Sequence, residues 1–240
     1  MKIISFCFLW DIYSKLKRGY SMSENIEKRV PKGDIKFSIT LSEEQKVAKQ
    51  NILNHPFNFI LGKAGSGKTL LACQIALDSF FKREYNKIVV TRPTVSNEDN
   101  GFLPGSLEEK LEPWLVPIRS NMRKVYDKSQ ILDKMEQDEK IELVSLTHFR
   151  GRTFDECICI VDEFQNLTKS QLAMVVGRLG KNSKMILCGD PQQIDLKSPN
   201  DSAIHDVAKL KSSGYVYTVT LKDNHRHPAL DEIFKLLYEY

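Results

Sequence analysis

Hydrophobic residues in this chain fall into short unbroken runs, separated by longer stretches where apolar positions recur every three or four residues. The runs Phe57–Leu61, Ile88–Thr91, Ile141–Val144, Cys157–Val161, Met185–Cys188 and Tyr215–Val219 have the length of strands. Several are apolar almost throughout, as expected of strands covered on both faces of a parallel sheet. Helical segments are predicted between them over Leu70–Lys82, Lys169–Leu179 and Ala203–Lys211. An earlier helix opens at Ser42-Glu43-Glu44-Gln45, a capping-box pattern, continues through Val47, Ala48, Ile52 and Leu53 at helical spacing, and stops at His55-Pro56. This alternation predicts an α/β domain of three αβα layers around a mainly parallel sheet. Residues 97–140 interrupt the rhythm with charges of both signs, prolines at 104, 113 and 117, and amphipathic pieces at Leu107–Tyr126 and Ile131–Met135. They read as a mainly helical insertion.

Composition adds little to that picture but narrows the class. The hydrophobic share of 41% with 28% charged residues is that of a globular protein with a proper core. A net charge of +4 permits nucleic-acid binding without arguing for it. Five cysteines without a C-x-x-C pair, four of them (Cys73, Cys157, Cys159, Cys188) in apolar runs, read as small core residues of a protein in a reducing, cytoplasmic compartment. The apolar run Ile3–Trp10 is short, ends at Asp11 and is followed by Lys15, Lys17 and Arg18 with no small-residue cleavage site. Residues 1–34 are therefore expected to be a poorly ordered leader, with Met22 a second candidate start, and residues 35–240 the working domain. No other stretch has the length of a membrane span.

Chemistry enters at Gly62-Lys63-Ala64-Gly65-Ser66-Gly67-Lys68-Thr69, which fits the phosphate-loop pattern G-x-x-x-x-G-K-[ST] without a mismatch. A predicted strand precedes it and a predicted helix follows, the context the motif requires. Its glycines let backbone N–H groups turn inward onto phosphate oxygens, and the helix start adds partial positive charge. Lys68 is expected to reach the β- and γ-phosphates of ATP, and Thr69 to hold Mg²⁺ through its hydroxyl. Downstream, Ile158-Cys159-Ile160-Val161-Asp162-Glu163 is an apolar strand ending in two acids. At the C-terminal edge of a parallel sheet, Asp162 would lie beside the phosphate loop as a Mg²⁺ ligand, and Glu163 would polarise the attacking water. Leu187-Cys188-Gly189-Asp190-Pro191-Gln192-Gln193 repeats the design, with Asp190 and Gln193 placed to orient or sense the γ-phosphate or the water.

Taken together these pieces resemble superfamily 1 helicase-like ATPases, and within them the PhoH-like family, over roughly residues 37–240. Further matching stretches are Val89-Val90-Thr91-Arg92-Pro93, Gly101-Phe102-Leu103-Pro104-Gly105, Phe149-Arg150-Gly151-Arg152-Thr153, Val161-Asp162-Glu163-Phe164-Gln165-Asn166, Gly189-Asp190-Pro191-Gln192-Gln193-Ile194-Asp195-Leu196 and Arg226-His227-Pro228. Phe164 stands where the family usually has alanine, and Lys197 where proline is common. The resemblance implies a RecA-like P-loop NTPase core. It also implies that Gln45 reads adenine, with the capping-box role as the alternative, and that Arg226 reaches the γ-phosphate in cis or across a subunit boundary. Arg178 is a weaker candidate for that task. Arg92 resembles a helicase residue that contacts the strand backbone, while Arg150 and Arg152 could bind phosphates or act as a finger in trans. Phe102, Trp114 and Phe149 offer stacking faces. His225 and His227 lack a third metal ligand at convincing spacing.

The expectation is an ATPase coupled to single-stranded RNA or DNA; the alternative is a non-enzymatic ATP-gated switch regulating a protein partner. A small-molecule kinase is disfavoured, since no acceptor lid is legible. Only one RecA-like core fits the sequence, so a homo-oligomer, a hexamer among the candidate states, is expected to complete the nucleotide cleft.

Overall fold

The computed structural model describes residues 36–93, 107–225, 227–229, 232–233 and 236, with backbone only for 107–115. The leader expected over residues 1–34, the Gly101–Gly105 stretch and Arg226 lie outside the described residues. In chain order the elements are α1 (Glu43–Leu53), β1 (Phe57–Gly62), α2 (Lys68–Phe81), β2 (Lys87–Thr91), α3 (Leu107–Val125) and α4 (Ser129–Gln137). Then come β3 (Ile141–Leu143), α5 (Leu146–Phe149), β4 (Cys157–Val161), α6 (Lys169–Val176), β5 (Lys184–Gly189), α7 (Val207–Leu210) and β6 (Val216–Leu221). Short 3-10 turns occupy Phe164–Asn166, Pro199–Asp201 and Ala203–Asp206.

All six strands run parallel in the order β3-β2-β4-β5-β1-β6. Because side chains alternate across a strand, each continuous apolar run feeds two cores at once. Ile60, Ile88, Val90, Ile158, Ile160 and Ile186 pack on one face with Leu71, Ile75 and Ile118 from α2 and α3. Phe59, Val89, Cys159, Val161, Met185 and Leu187 pack on the other with Leu172 and Val175 from α6. Each such burial contributes roughly 1.5–3 kcal/mol. The four described cysteines are free and buried in these cores.

The insertion is helical over its described part, as its amphipathic pattern predicts. Pro113 and Pro117 lie inside the single helix α3, each removing one backbone hydrogen bond. Burial of Ile118, Met122 and Val125 in the core beside α2 offsets that loss. The predicted helix over Ala203–Lys211 is instead a 3-10 turn followed by the four-residue α7. Its start is pinned sideways: Ala203 N–H donates to the Leu167 carbonyl at 2.8 Å, and Ser202 Oγ donates to the Gln165 carbonyl at 2.5 Å. The helix predicted to reach Leu179 stops at Val176, and Leu179 pairs with Phe154 as a parallel bridge.

Lys184, at the N-terminal end of β5, is only 4% exposed. Its ammonium donates to the carbonyls of Ile52 at 2.8 Å and Leu53 at 3.2 Å, and also to that of His55. The last carbonyls of α1 thereby find the partners a helix end otherwise lacks. Burial pushes the Lys184 pKa down to about 8. Lys184→Met keeps the stem but takes the side-chain partner from the Leu53 carbonyl, leaving those of Ile52 and His55 with the His55 N–H and Asn58 Nδ2. It is expected to destabilise the domain by roughly 1–2 kcal/mol, read as a lower urea midpoint. An unchanged midpoint would show that the contacts contribute nothing net.

Candidate nucleotide site

Parallel strands deliver their C-terminal ends to one edge, and β4, β5 and β1 are adjacent there. The loops after them carry the three motifs read from sequence. Gly62, Gly65 and Gly67 have φ of +154°, +92° and +80°. A Cβ on Gly67 would stand 2.6 Å from Gln45 Nε2, so both conformation and space demand glycine there. Gly67 ends the loop as the N-cap of α2, whose first N–H groups are left to face a ligand. Lys63, Ala64, Gly65 and Ser66 form the turn, and Ser66 Oγ is buried without a protein partner. Lys68 Nζ donates to the carbonyls of Gly62 at 2.7 Å and Lys63 at 3.0 Å, which keeps its charge at the mouth of the loop.

Thr69 Oγ1 donates to Asp162 Oδ1 at 2.7 Å, joining the phosphate loop to the acidic strand end. Asp162 is held in register by its own N–H, which donates to the Thr91 carbonyl at 2.9 Å. Burial and the neighbouring Glu163 carboxylate push its pKa up to about 6, against the pull of the Thr69 hydroxyl, Arg92 and Lys68. A buried carboxylate with a hydroxyl beside it fits a hard cation. Among the described residues no group of three or more His, Cys, Asp or Glu side chains could hold a metal. Mg²⁺ takes one or two protein oxygens and completes its shell with water and phosphate.

The Asp162 shift has a checkable consequence. A carboxylate whose folded-state pKa lies above its ordinary 3.8 stabilises the fold below that value, and the contribution is lost as pH rises through about 6. Mg²⁺ added in place of a chelator is therefore expected to raise Tm at pH 7.5 by about 3 °C or more, and scarcely at pH 5. Equal shifts at both pH values would exclude Asp162 as the titrating ligand.

Glu163 adopts φ +54°, ψ +40°, a left-handed conformation that is strained for a residue with a side chain. Its carboxylate stands between Arg92 and Gln165. Arg92, which follows β2, brings Nη1 to 3.8 Å from Asp162 Oδ2 and Nη2 to 3.7 Å from Glu163 Oε1. Its guanidinium therefore faces the acid pair. On the other side Gln165 Nε2 donates to Glu163 Oε2 at 2.6 Å and to the Gln193 carbonyl at 2.9 Å, while Gln165 Oε1 accepts from Asp190 N–H at 3.1 Å. The sequence places Gln165 in the motif stretch Val161–Asn166 but assigns it no role of its own. Gln193 itself is exposed, with its N–H on the Asp190 carbonyl.

Gln45 is buried and makes both capping-box bonds with Ser42. Its Nε2 also lies 3.4 Å from the Ser66 carbonyl and 3.3 Å from His225 Nε2. The two readings of Gln45 thus share one position: the helix cap stands against the phosphate loop. His225 N–H donates to the Gly65 carbonyl at 3.1 Å, which anchors the chain to the loop one residue before Arg226.

Other arginines go elsewhere. Arg152 forks onto Glu142 at 2.5 and 3.0 Å and stacks on the Phe154 ring, so its exposed guanidinium already has an acidic partner on its own chain. Together with Lys87 it holds the Glu142 pKa down at about 2. Phe149 is no stacking face: it is fully buried, with its ring centroid 4.4 Å from that of Phe154. Arg178 lies by the segment entering β4, where its carbonyl accepts from Phe154 N–H, at the sheet edge opposite the phosphate loop. Arg150 is exposed.

Fold and site together define a RecA-like P-loop NTPase core. The chain belongs to the PhoH-like protein family, whose profile matches residues 39–238. It is 36% identical over 191 residues to a PhoH-like protein of Synechocystis, covering 79% of this chain and 57% of the relative. It is 40% identical over 182 residues to a PhoH-like protein of Bacillus subtilis, covering 74% of this chain and 56% of the relative. The chain thus spans about half the length of these curated relatives. In fold alone it is similar to the large terminase of a thermophilic bacteriophage, with a TM-score of 0.54 at 9% identity over 83% of this chain and 51% of that one. Among the described residues no helix is long and apolar enough to cross a membrane.

Proposed function

We propose that the chain is a Mg²⁺-dependent ATPase, working as a homo-oligomer and coupled to single-stranded RNA or DNA. The observation that carries the hydrolytic part is the 2.7 Å contact of Thr69 with Asp162, with Glu163 beside it and fixed from two sides. A binding module needs the loop and the cation site alone; a second carboxylate fixed beside the cation site would serve the attack of water. Loop N–H groups and Lys68 bind the phosphates, Thr69 and Asp162 would hold Mg²⁺, and Glu163 orients and polarises the water. Bound Mg²⁺ would neutralise charge on the β- and γ-phosphates. Gln193 senses the γ-phosphate side of the site. Arg226 is proposed as the finger that stabilises charge on the transferred phosphoryl group, supported by the anchoring of His225 on Gly65.

Nucleic-acid coupling is supported by the helicase-like motif order, with exposed Arg150 as the contact best placed for it. Arg92 is only partly exposed and faces the acids, and Arg152 is already paired. The test is ATP turnover with and without single-stranded RNA and DNA at two salt concentrations. Stimulation by one of them, weakening at higher salt as counterions compete, is expected. A rate indifferent to both polymers would remove the coupling and leave an ATPase alone.

A further inference from the structure

Glu163 and the loop that carries Gln193 belong to different strands, and one buried side chain joins them. Gln165 is 1% exposed and sits on the 3-10 turn directly after Glu163. Its amide is almost fully used: one N–H to the Glu163 carboxylate, the other to the Gln193 carbonyl, and the oxygen to Asp190 N–H. The orientation of the amide is fixed by those partners. Turned over, its oxygen would face a carboxylate oxygen and a carbonyl oxygen, and its NH₂ would face an N–H donor. The backbone is held as well, since the Gln165 carbonyl accepts from Ser202 Oγ at 2.5 Å. Next to it, Asn166 continues the clasp. Its Oδ1 accepts from Asp195 N–H at 2.8 Å and its Nδ2 donates to the Asp195 carboxylate at 3.2 Å. A Cβ on Gly189 would stand 2.6 Å from the Phe164 ring and 3.1 Å from Gln165 Oε1, so the two segments are in direct contact where Gly189 lacks a side chain.

We propose that Gln165 is a positioning residue that locks the Glu163 carboxylate to the 190–193 loop, so that the water-orienting acid and the loop bearing Gln193 move as one unit. A packing role alone would need an apolar residue of this size, since an unpaired amide in so dry a place is costly. The amide is retained because each of its bonds spans the gap between the two loops or reaches the acid. Displacement of the 190–193 loop is thereby felt at Glu163, and displacement of Glu163 at the Asp190 amide.

The inference deepens the hydrolytic reading, and its kinetic arm rests on that reading; a spectroscopic arm does not. In ¹⁵N-labelled chain, Glu163→Gln is expected to shift the Asp190 backbone amide resonance, and the shift is expected to vanish when the same change is made in a Gln165→Met background. An Asp190 resonance indifferent to Glu163, or one that responds equally without Gln165, overturns the proposal whether or not the chain turns over ATP. In the kinetic arm, Gln165→Met is expected to lower kcat at least about tenfold with KM for ATP within about twofold. Gln165→Glu keeps the size and the acceptor for Asp190 N–H but sets a second carboxylate against Glu163, and is expected to lower kcat by as much or more. It serves also where the methionine variant folds poorly. A rise in KM with kcat unchanged, or wild-type kinetics in both variants, would overturn the proposal. Wild-type chain that releases no phosphate would instead remove the hydrolytic reading and leave the resonance test to decide the lock.

Discussion

Glu163→Gln is expected to cut steady-state phosphate release by about 10²–10⁴-fold while ATP still binds. The amide has the same shape as the carboxylate but accepts a proton poorly and polarises water weakly. Its neighbours make the change local. Arg92 at 3.7 Å and Gln165 at 2.6 Å hold the side chain from two sides, and the left-handed backbone at φ +54° is fixed by the turn that follows. None of these ties holds the phosphate loop closed, since that contact belongs to Thr69 and Asp162. Binding of a fluorescent ATP analogue should therefore stay within a few-fold of wild type as turnover falls. This experiment separates the two functional readings. If turnover survives the substitution, the carboxylate is not the water-orienting group. Were wild type and variant both to bind ATP and release no phosphate, the ATP-gated switch would be the better description.

The strands and the phosphate loop were legible because their determinants are local. A continuous apolar run needs only the run itself, and G-x-x-x-x-G-K-[ST] is contiguous, so Phe57–Gly62 and Cys157–Val161 emerge within a residue of the predicted bounds. Parallel order then brings Asp162 to Thr69 without further information. What stayed hidden depends on how the chain folds back on itself between elements. Arg152 is paired with Glu142, a partner visible only once β3 pairs beside β2 and the segment after α5 returns to it. Phe149 sits in a polar stretch, R-G-R, and its burial comes from Phe154 across the turn. Arg92 carries charge after an apolar strand, which suggests an outward contact. The two acids that draw it inward lie about seventy residues further on, and meet it because β2 and β4 end side by side. The segment over Ala203–Lys211 is helical as its periodicity predicts, but it opens as a 3-10 turn, its start held by side-on bonds to Leu167 and Gln165.

Lys68→Met is expected to weaken ATP binding by about 10²–10³-fold and to abolish measurable turnover. Gly67 turns the chain in the left-handed region so that α2 begins at Lys68 itself, and the side chain doubles back to reach the Gly62 and Lys63 carbonyls. Those bonds place one full positive charge where the helix start and the loop N–H groups supply only partial ones. Methionine keeps the apolar stem and its packing but removes that charge, so triphosphate would meet dipoles alone. Arginine would not replace it, because a planar fork differs in both shape and donor geometry from a compact ammonium on a flexible stem. Stability should change little, since the bond to Lys63 lies on the exposed side of the loop. The expected result is a Tm within about 2 °C of wild type, together with ATP affinity lost in calorimetric titration. An affinity within threefold of wild type would mean that the loop backbone suffices, and Lys68 would then be reassigned to closing the loop on its own carbonyls.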